Sequence, residues 1–181
     1  MDPLTGDGVR LRDFRSADLD DLLAITGDDR VTNWMAFDSH TREKAQQLLD
    51  GCIADIAVEP RTVFGLAITR IDDDQVIGFI RLAGTGGKAA KLGYMIAADH
   101  WGNGYATDAT RTMLRFAFGP LALHRVTAAI GPENSASIAV VKRLGFTYEG
   151  HLRDHVFTNG GWRDSVLYSL LSTETASLTP R

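Results

Sequence analysis

Apolar and polar residues alternate along Val9-Arg10-Leu11-Arg12, which predicts an opening strand. A helix is predicted from about Ala17 to Ile25, with Ser16 as N-cap and Gly27 beyond its end. A second is predicted from about Arg42 to Ala57. There Ala45, Leu48, Leu49, Cys52, Ile53 and Ile56 recur every three or four positions, and Pro60 closes the run. Cys52 lies on that stripe and reads as a packing residue rather than a nucleophile. Two apolar runs, 63–68 and 76–80, flank Asp72-Asp73-Asp74 and predict an antiparallel hairpin. Gly84 to Gly87 reads as a loop and Leu92 to Ala97 as a strand. A helix follows from about Thr107 to Phe118, with Ala109, Met113, Phe116 and Ala117 inward, and Pro120 ends it. Arg125 to Ile130 is strand-like. Ser135 to Leu144 reads as a helix bracketed by Asn134 as N-cap and Gly145 as its stop. Two final strands, about 148–158 and 162–171, are joined through Asn159-Gly160, a strong hairpin signal. The predicted order is β-α-α-β-β-β-α-β-α-β-β, an α/β mixture. Residues after Ser172 are small and polar, and a frayed tail is expected over 173–181.

Composition narrows the class. The chain has 181 residues, 44% hydrophobic and 23% charged, which predicts one globular domain spanning 1–181. No apolar stretch approaches the ~18 residues of a membrane span. The opening residues carry no basic and apolar leader, and there is one cysteine, so a cytoplasmic, reducing compartment is expected. The net charge of -4 is unevenly placed: residues 1–30 hold eight Asp against four Arg, and the rest is balanced. No basic footprint for nucleic acid is present. The acidic start reads as a solvated helix face, with attraction of a cationic acceptor as the alternative.

Candidate chemistry concentrates in two stretches. In the first, Leu92-Gly93-Tyr94-Met95-Ile96 leads through Trp101-Gly102-Asn103-Gly104-Tyr105-Ala106-Thr107 into a helix. Glycines in a strand–turn–helix let backbone approach a ligand closely, and the helix start offers unpaired N–H groups and a positive dipole end. That combination suits a phosphate or pyrophosphate. A P-loop is excluded because no Gly-Lys-Ser/Thr triplet exists, and a dinucleotide fingerprint fails because Thr107 stands where its third small residue belongs. The second stretch runs from Pro132-Glu133-Asn134-Ser135-Ala136-Ser137 to Lys142-Arg143-Leu144-Gly145-Phe146. By itself it reads as a capped helix with a glycine stop. His151 and His155, four residues apart in a strand, are about 13 Å apart, too far to share one ion. His40, His100 and His124 are scattered, so no metal is expected.

Together the two stretches resemble the GNAT superfamily of acyl-CoA-dependent N-acetyltransferases, and within it the RimJ/RimL-like branch. The glycine turn 101–107 is similar to that family's pyrophosphate loop. Asn134-x-x-Ser137 and Lys142-Arg143-Leu144-Gly145-Phe146 are similar to its second motif. Glu149-Gly150-His151-Leu152-Arg153, Asn159-Gly160 and Trp162 to Tyr168 extend the resemblance, which covers about residues 8–171. The resemblance implies a single domain with a central, mostly antiparallel twisted sheet. One parallel pair in that sheet would be splayed, and helices would cover both faces. It implies acetyl-CoA as cosubstrate, held by the backbone of Tyr94, Met95 and Ile96, by Trp101, Gly102, Asn103, Gly104, Tyr105, Ala106 and Thr107, and by Asn134, Ser137 and Lys142, with Arg143 and Arg111 as further phosphate partners. It implies direct attack of an amine on the thioester in a ternary complex, with Ser137 as proton donor to the leaving thiolate.

The departures are specific. Trp101 stands where the family's loop often has Gln or Arg. Val141 stands where many members carry an acidic tyrosine, and Val156 where the branch is thought to carry a glutamate base. Glu149 and His155, near the last strands, or a water relay become the candidate bases. Trp34, Met35 and Phe37 form an apolar cluster that is either core or acceptor wall, with the Asn159 hairpin opposite. The leading expectation is transfer of acetyl to the α-amine of a protein or peptide. The alternatives are acetylation of a small amine (antibiotic, polyamine or amino acid) and a non-catalytic acyl-CoA-binding module. A monomer or a homodimer is compatible with the final strands.

Overall fold

The computed structural model describes residues 1–178. Its eight strands form one sheet. They are β1 (Leu4–Thr5), β2 (Val9–Asp13), β3 (Val63–Arg70), β4 (Val76–Gly86), β5 (Ala89–Ile96), β6 (Arg125–Ile130), β7 (Thr147–Thr158) and β8 (Gly161–Leu171). The helices are α1 (Leu19–Thr26), α2 (Asp29–Thr32), α3 (Arg42–Ala54), α4 (Tyr105–Phe118) and α5 (Ser135–Arg143). The order across the sheet is β1-β2-β3-β4-β5-β6-β8-β7. Every neighbouring pair is antiparallel except β5–β6.

Each face of the sheet buries its own cluster. One face packs Leu11, Leu66, Ile68, Ile80 and Leu92 against Met113, Leu114 and Ala117 of α4 and Val141 of α5. The other packs Ala67, Phe79 and Met95 against Leu22 and Ile25 of α1 and Leu49 and Cys52 of α3. Alternation along β5 explains the division: Leu92, Tyr94 and Ile96 belong to the first cluster and Met95 to the second. Burial pushes the Cys52 thiol up to about 11, so it stays neutral and packs as a small apolar group.

Several boundaries differ from the sequence expectation. Ser16 is not an N-cap but opens a 3-10 turn, Ser16–Asp18, that precedes α1. The second predicted helix ends at Ala54 and tightens into a 3-10 turn, Asp55–Ala57, leaving Ile56 at the surface. Residues 84–86 are strand rather than loop: Gly84 and Gly86 still pair with β5 across a register shift. The expected frayed tail is also corrected. Residues Ser172–Leu178 form 3-10 turns, Arg115 donates to the Leu178 carbonyl at 2.8 Å, and Leu178 is buried. The remainder of that expectation, 179–181, lies outside the described residues.

The acidic start is structural. Asp18 is buried and takes two hydrogen bonds from Arg12, at 2.8 and 3.0 Å, plus one from the Arg15 amide at 2.7 Å. Asp20 pairs with Arg42 at 2.8 Å, and Asp21 accepts from the Val76 amide. Asp18 and Asp21 are thus engaged within the fold, while Asp20 stays exposed in a surface pair with Arg42, in keeping with a solvated helix face.

Candidate active site

The cleft starts from one irregularity in the sheet. β5 and β6 pair only at Ala89↔Arg125, Ala90↔Val126 and Lys91↔Thr127. Beyond Lys91 they part, while β5 remains bonded to β4 and β6 to β8. The gap opens at the carboxyl ends of two parallel strands, where the loops into α4 and α5 also lie. It forms a cleft of about 400 Å³ lined by residues of β5, the 100–107 turn and the start of α5. Carboxyl ends of parallel strands, with helix N-termini converging on them, are where α/β folds bind ligands.

The turn before α4 is held by its side chains, leaving its amides free. Gly102 and Gly104 both sit at φ +80°, a region open to glycine at little cost. The Trp101 indole donates to the Ile96 carbonyl at 2.8 Å, and Asn103 donates to the carbonyls of His100 and Trp101 at 3.1 and 3.2 Å. Gly104 is the N-cap of α4 and supplies no capping side chain. The amides of Tyr105, Ala106 and Thr107, which a helix leaves without internal partners, therefore face outward with the helix dipole behind them. By contrast, α2, α3 and α5 are capped by Asp28, Thr41 and Asn134. Gly102, Gly104, Tyr105, Ala106 and Thr107 line the cleft, and Trp101 forms part of its rim. Asn103 braces the loop from beside the cleft.

α5 supplies the opposite wall. Asn134 accepts from the Ser137 amide at 3.0 Å, which fixes the first turn. The Tyr94 hydroxyl crosses from β5 and donates to Ser137 Oγ at 3.1 Å. Burial raises the Tyr94 phenol above its ordinary range, against the pull of that hydrogen bond, so it stays protonated. The helix period decides which cation faces the cleft. Ala136, Val140 and Arg143 share one side with spacings of four and three. Lys142 is turned about 100° away from Arg143, is exposed, and does not line the cleft, whereas Arg143 does. The Arg143 guanidinium lies 3.4 Å from Thr107 Oγ1.

The candidate bases are corrected as well. Glu149 is outside the cleft, bound by two guanidinium nitrogens of Arg125 and by Ser169 at 2.6 Å. The Arg125 hydrogen bond, then that of Ser169, holds its carboxyl below the usual carboxylate range, the wrong direction for a base near neutral pH. His155 lies on the exposed β7 bulge and is hydrogen-bonded to Ser165 at 3.0 Å. The titratable groups that do line the cleft, besides Tyr94, Tyr105 and Arg143, are His100 and Glu133. Both stand inside the two motif stretches, one residue from Trp101 and Asn134, so proximity to the motifs was the signal for them. Val31, which also lines the cleft, carried no signal.

The expected apolar cluster divides. Trp34 and Met35 line the cleft, whereas Phe37 packs on the His40 ring at 4.5 Å, behind it. This wall is tied to the β7–β8 turn. Arg163 of β8 donates to the carbonyls of Asn33, at 2.6 Å, and Met35. Asp38 accepts from Thr158 Oγ1 and the Asn159 amide, both at 2.8 Å. The Asn159 amide first, then Thr158, holds the Asp38 carboxyl below its ordinary range. Among the described residues, no group of three or more His, Cys, Asp or Glu is arranged to hold a metal, and no helix is long and apolar enough to cross a membrane.

This geometry has close counterparts. The acetyltransferase (GNAT) domain family matches residues 9–147. The uncharacterized N-acetyltransferase p20 of Bacillus licheniformis is 31% identical over 179 residues, 97% of this chain and 99% of that protein. The ribosomal protein uS5-alanine N-acetyltransferase of Escherichia coli is 31% identical over 106 residues, 57% of this chain and 55% of its own. The structure of Mycobacterium smegmatis RimJ in complex with CoA-disulfide superposes with a TM-score of 0.82 at 25% identity, covering 98% of this chain and 94% of that one. The split parallel pair, the uncapped glycine turn and this match across most of the chain make it a member of the GNAT acetyltransferase family, an acetyl-CoA-dependent N-acetyltransferase.

Proposed function

We propose that the acceptor is the α-amine of a protein or peptide, with a small or apolar N-terminal residue. The observation that carries this is the lining of the cleft beyond the cofactor end: Val31, Trp34, Met35 and Trp101 are apolar or aromatic, and Glu133 is the one carboxylate among the described lining residues. A polyamine, with several ammonium groups, calls for several carboxylates. A single amine beside a short apolar side chain needs no more than this wall offers.

The chemistry of the amine agrees. Only the neutral amine attacks. An α-amine with pKa near 8 is about 10% neutral at pH 7, whereas a lysine near 10.4 is about 0.04% neutral. With Glu149 and His155 outside the cleft, an acceptor that needs little deprotonation fits best, and His100 and Glu133 are the groups placed to receive the proton. Acetyl-CoA supplies the thioester acyl group. For it, the amides of Tyr105, Ala106 and Thr107 and the Arg143 guanidinium offer donors to the phosphates, and the open edge of β5 over Tyr94, Met95 and Ile96 offers backbone groups to the pantetheine arm. An N–H on that edge also polarises the thioester carbonyl. Ser137 stands at the wall of the gap as the proton donor to the departing sulfur. The name of the E. coli relative, an alanine N-acetyltransferase of ribosomal protein uS5, supports a protein acceptor of this kind.

The test is thiol release from acetyl-CoA against a panel. It contains peptides with free Ala, Ser and Met N-termini, lysine peptides with blocked N-termini, polyamines, amino acids and aminoglycosides. Release with the free-N-terminus peptides is expected. Release confined to blocked lysine peptides or to the small amines overturns the reading of a protein or peptide α-amine.

A further inference from the structure

Tyr94 and Ser137 meet in the cleft from two elements separated by 43 residues of chain, one on the open edge of β5 and one in the first turn of α5. A tyrosine hydroxyl has one hydrogen. Here it points at Ser137 Oγ at 3.1 Å, so Tyr94 is the donor and Ser137 the acceptor. Two consequences follow from the hydroxyl's inventory of one donor and two lone pairs. The Ser137 hydrogen cannot lie along the Tyr94 direction, because that lone pair is taken. Among the described residues, Ser137 Oγ makes no other hydrogen bond, so its own hydrogen is left for something in the cleft. A hydroxyl that accepts a hydrogen bond is also a stronger donor.

We propose that Tyr94 is a positioning residue for the transfer step: it fixes the Ser137 hydroxyl so that its hydrogen points into the β5–β6 gap, toward the sulfur that leaves. This rests on the reading of Ser137 as proton donor given above. As the amine nitrogen bonds to the acyl carbon, the C–S bond breaks and its electron pair goes to sulfur. Ser137 gives its proton to that sulfur. The proton shed by the acylated nitrogen is taken up by His100 or Glu133 in the cleft and passed on to the Ser137 oxygen, so protons balance and the serine is regenerated. Tyr94 keeps its own proton throughout, consistent with a buried phenol held above its ordinary range. The arrangement also accounts for Val141. Valine is buried there and has no proton to give, so the donor function rests with a pair formed between strand and helix.

The experiment is a double-mutant cycle on the full chain, Tyr94→Phe, Ser137→Ala and both together. Thiol release from acetyl-CoA is followed with an alanine-N-terminal peptide and without any acceptor. Phenylalanine keeps the ring and its packing and removes one hydroxyl. One neutral hydrogen bond lost predicts a kcat about 3- to 10-fold lower in Tyr94→Phe, with the KM for acetyl-CoA unchanged and thermal melting close to wild type. Ser137→Ala lowers kcat further, and adding Tyr94→Phe to it changes nothing more. Three results overturn the proposal alone: Tyr94→Phe leaves kcat intact while Ser137→Ala lowers it, the two losses multiply independently, or Tyr94→Phe acts through KM. An unchanged kcat in Ser137→Ala removes the serine from its role and the proposal with it. The α-amine reading is judged separately, by which acceptors turn over.

Discussion

The two ends of the cleft are built by different means. At the proposed cofactor end, the groups offered to the ligand are backbone amides of 105–107, presented by two glycines at φ +80° and braced by Trp101 and Asn103 within the same segment. At the proposed acceptor end, the wall of Trp34 and Met35 is held by Arg163 and Asp38 through contacts that span 120 to 130 residues of chain. A backbone site is sequence-tolerant and local. A wall held by distant side chains can be re-aimed by single substitutions, which suits a fold that keeps one cofactor and varies its acceptor.

The strongest way to sharpen this contrast is to show that the acidic first helix belongs to neither end. Asp18 is buried against Arg12. Removing one partner of a buried pair typically costs about 3–5 kcal/mol. Asp18→Ala is therefore expected to lose stability on that scale in chemical denaturation while the folded fraction keeps its KM for an acceptor peptide. A raised KM with little loss of stability would return Asp18 to the acceptor end.

A smaller effect tests the packing behind the acceptor wall. Cys52 shares a buried cluster with Met95, against which Met35 and Phe37 pack. Its thiol is pushed up to about 11 by burial. The folded state thus binds the proton more tightly than the unfolded state, whose thiol titrates near 8.5. The sign follows: this contribution to stability is fully present below about pH 8.5 and is lost as the pH rises toward 11. Wild type is expected to lose about 3 kcal/mol more than Cys52→Ala over that window, at 1.36 kcal/mol per unit. Parallel pH profiles for the two would contradict it.

Much of the cofactor end was legible in the sequence because its information is local. Two glycines, an N-cap asparagine and a glycine stop each act within a few residues of themselves, and Arg125–Ile130 was readable as a strand to the residue. Lys142 was misplaced by one position because a helix turns 100° per residue, and only the face of α5 settles which cation looks inward. The acceptor end was largely illegible. Nothing near Arg163 says that it reaches back to Met35, and nothing near Glu149 says that Arg125 occupies it. The tail failed for the same reason, since Leu178 is fixed by burial and by Arg115, 63 residues away.

The most direct test of this division is a crossed kinetic comparison of Gly104→Val and Arg163→Ala, measuring KM for acetyl-CoA and for an acceptor peptide in each. A β-branched residue at φ +80° costs roughly 1–2 kcal/mol, or about 5- to 30-fold. Gly104→Val is predicted to raise the KM for acetyl-CoA by that factor and leave the acceptor KM near wild type. Arg163→Ala is predicted to raise the acceptor KM several-fold and leave acetyl-CoA unaffected. If either variant raises both constants together, the two ends are not separately built, and the account fails.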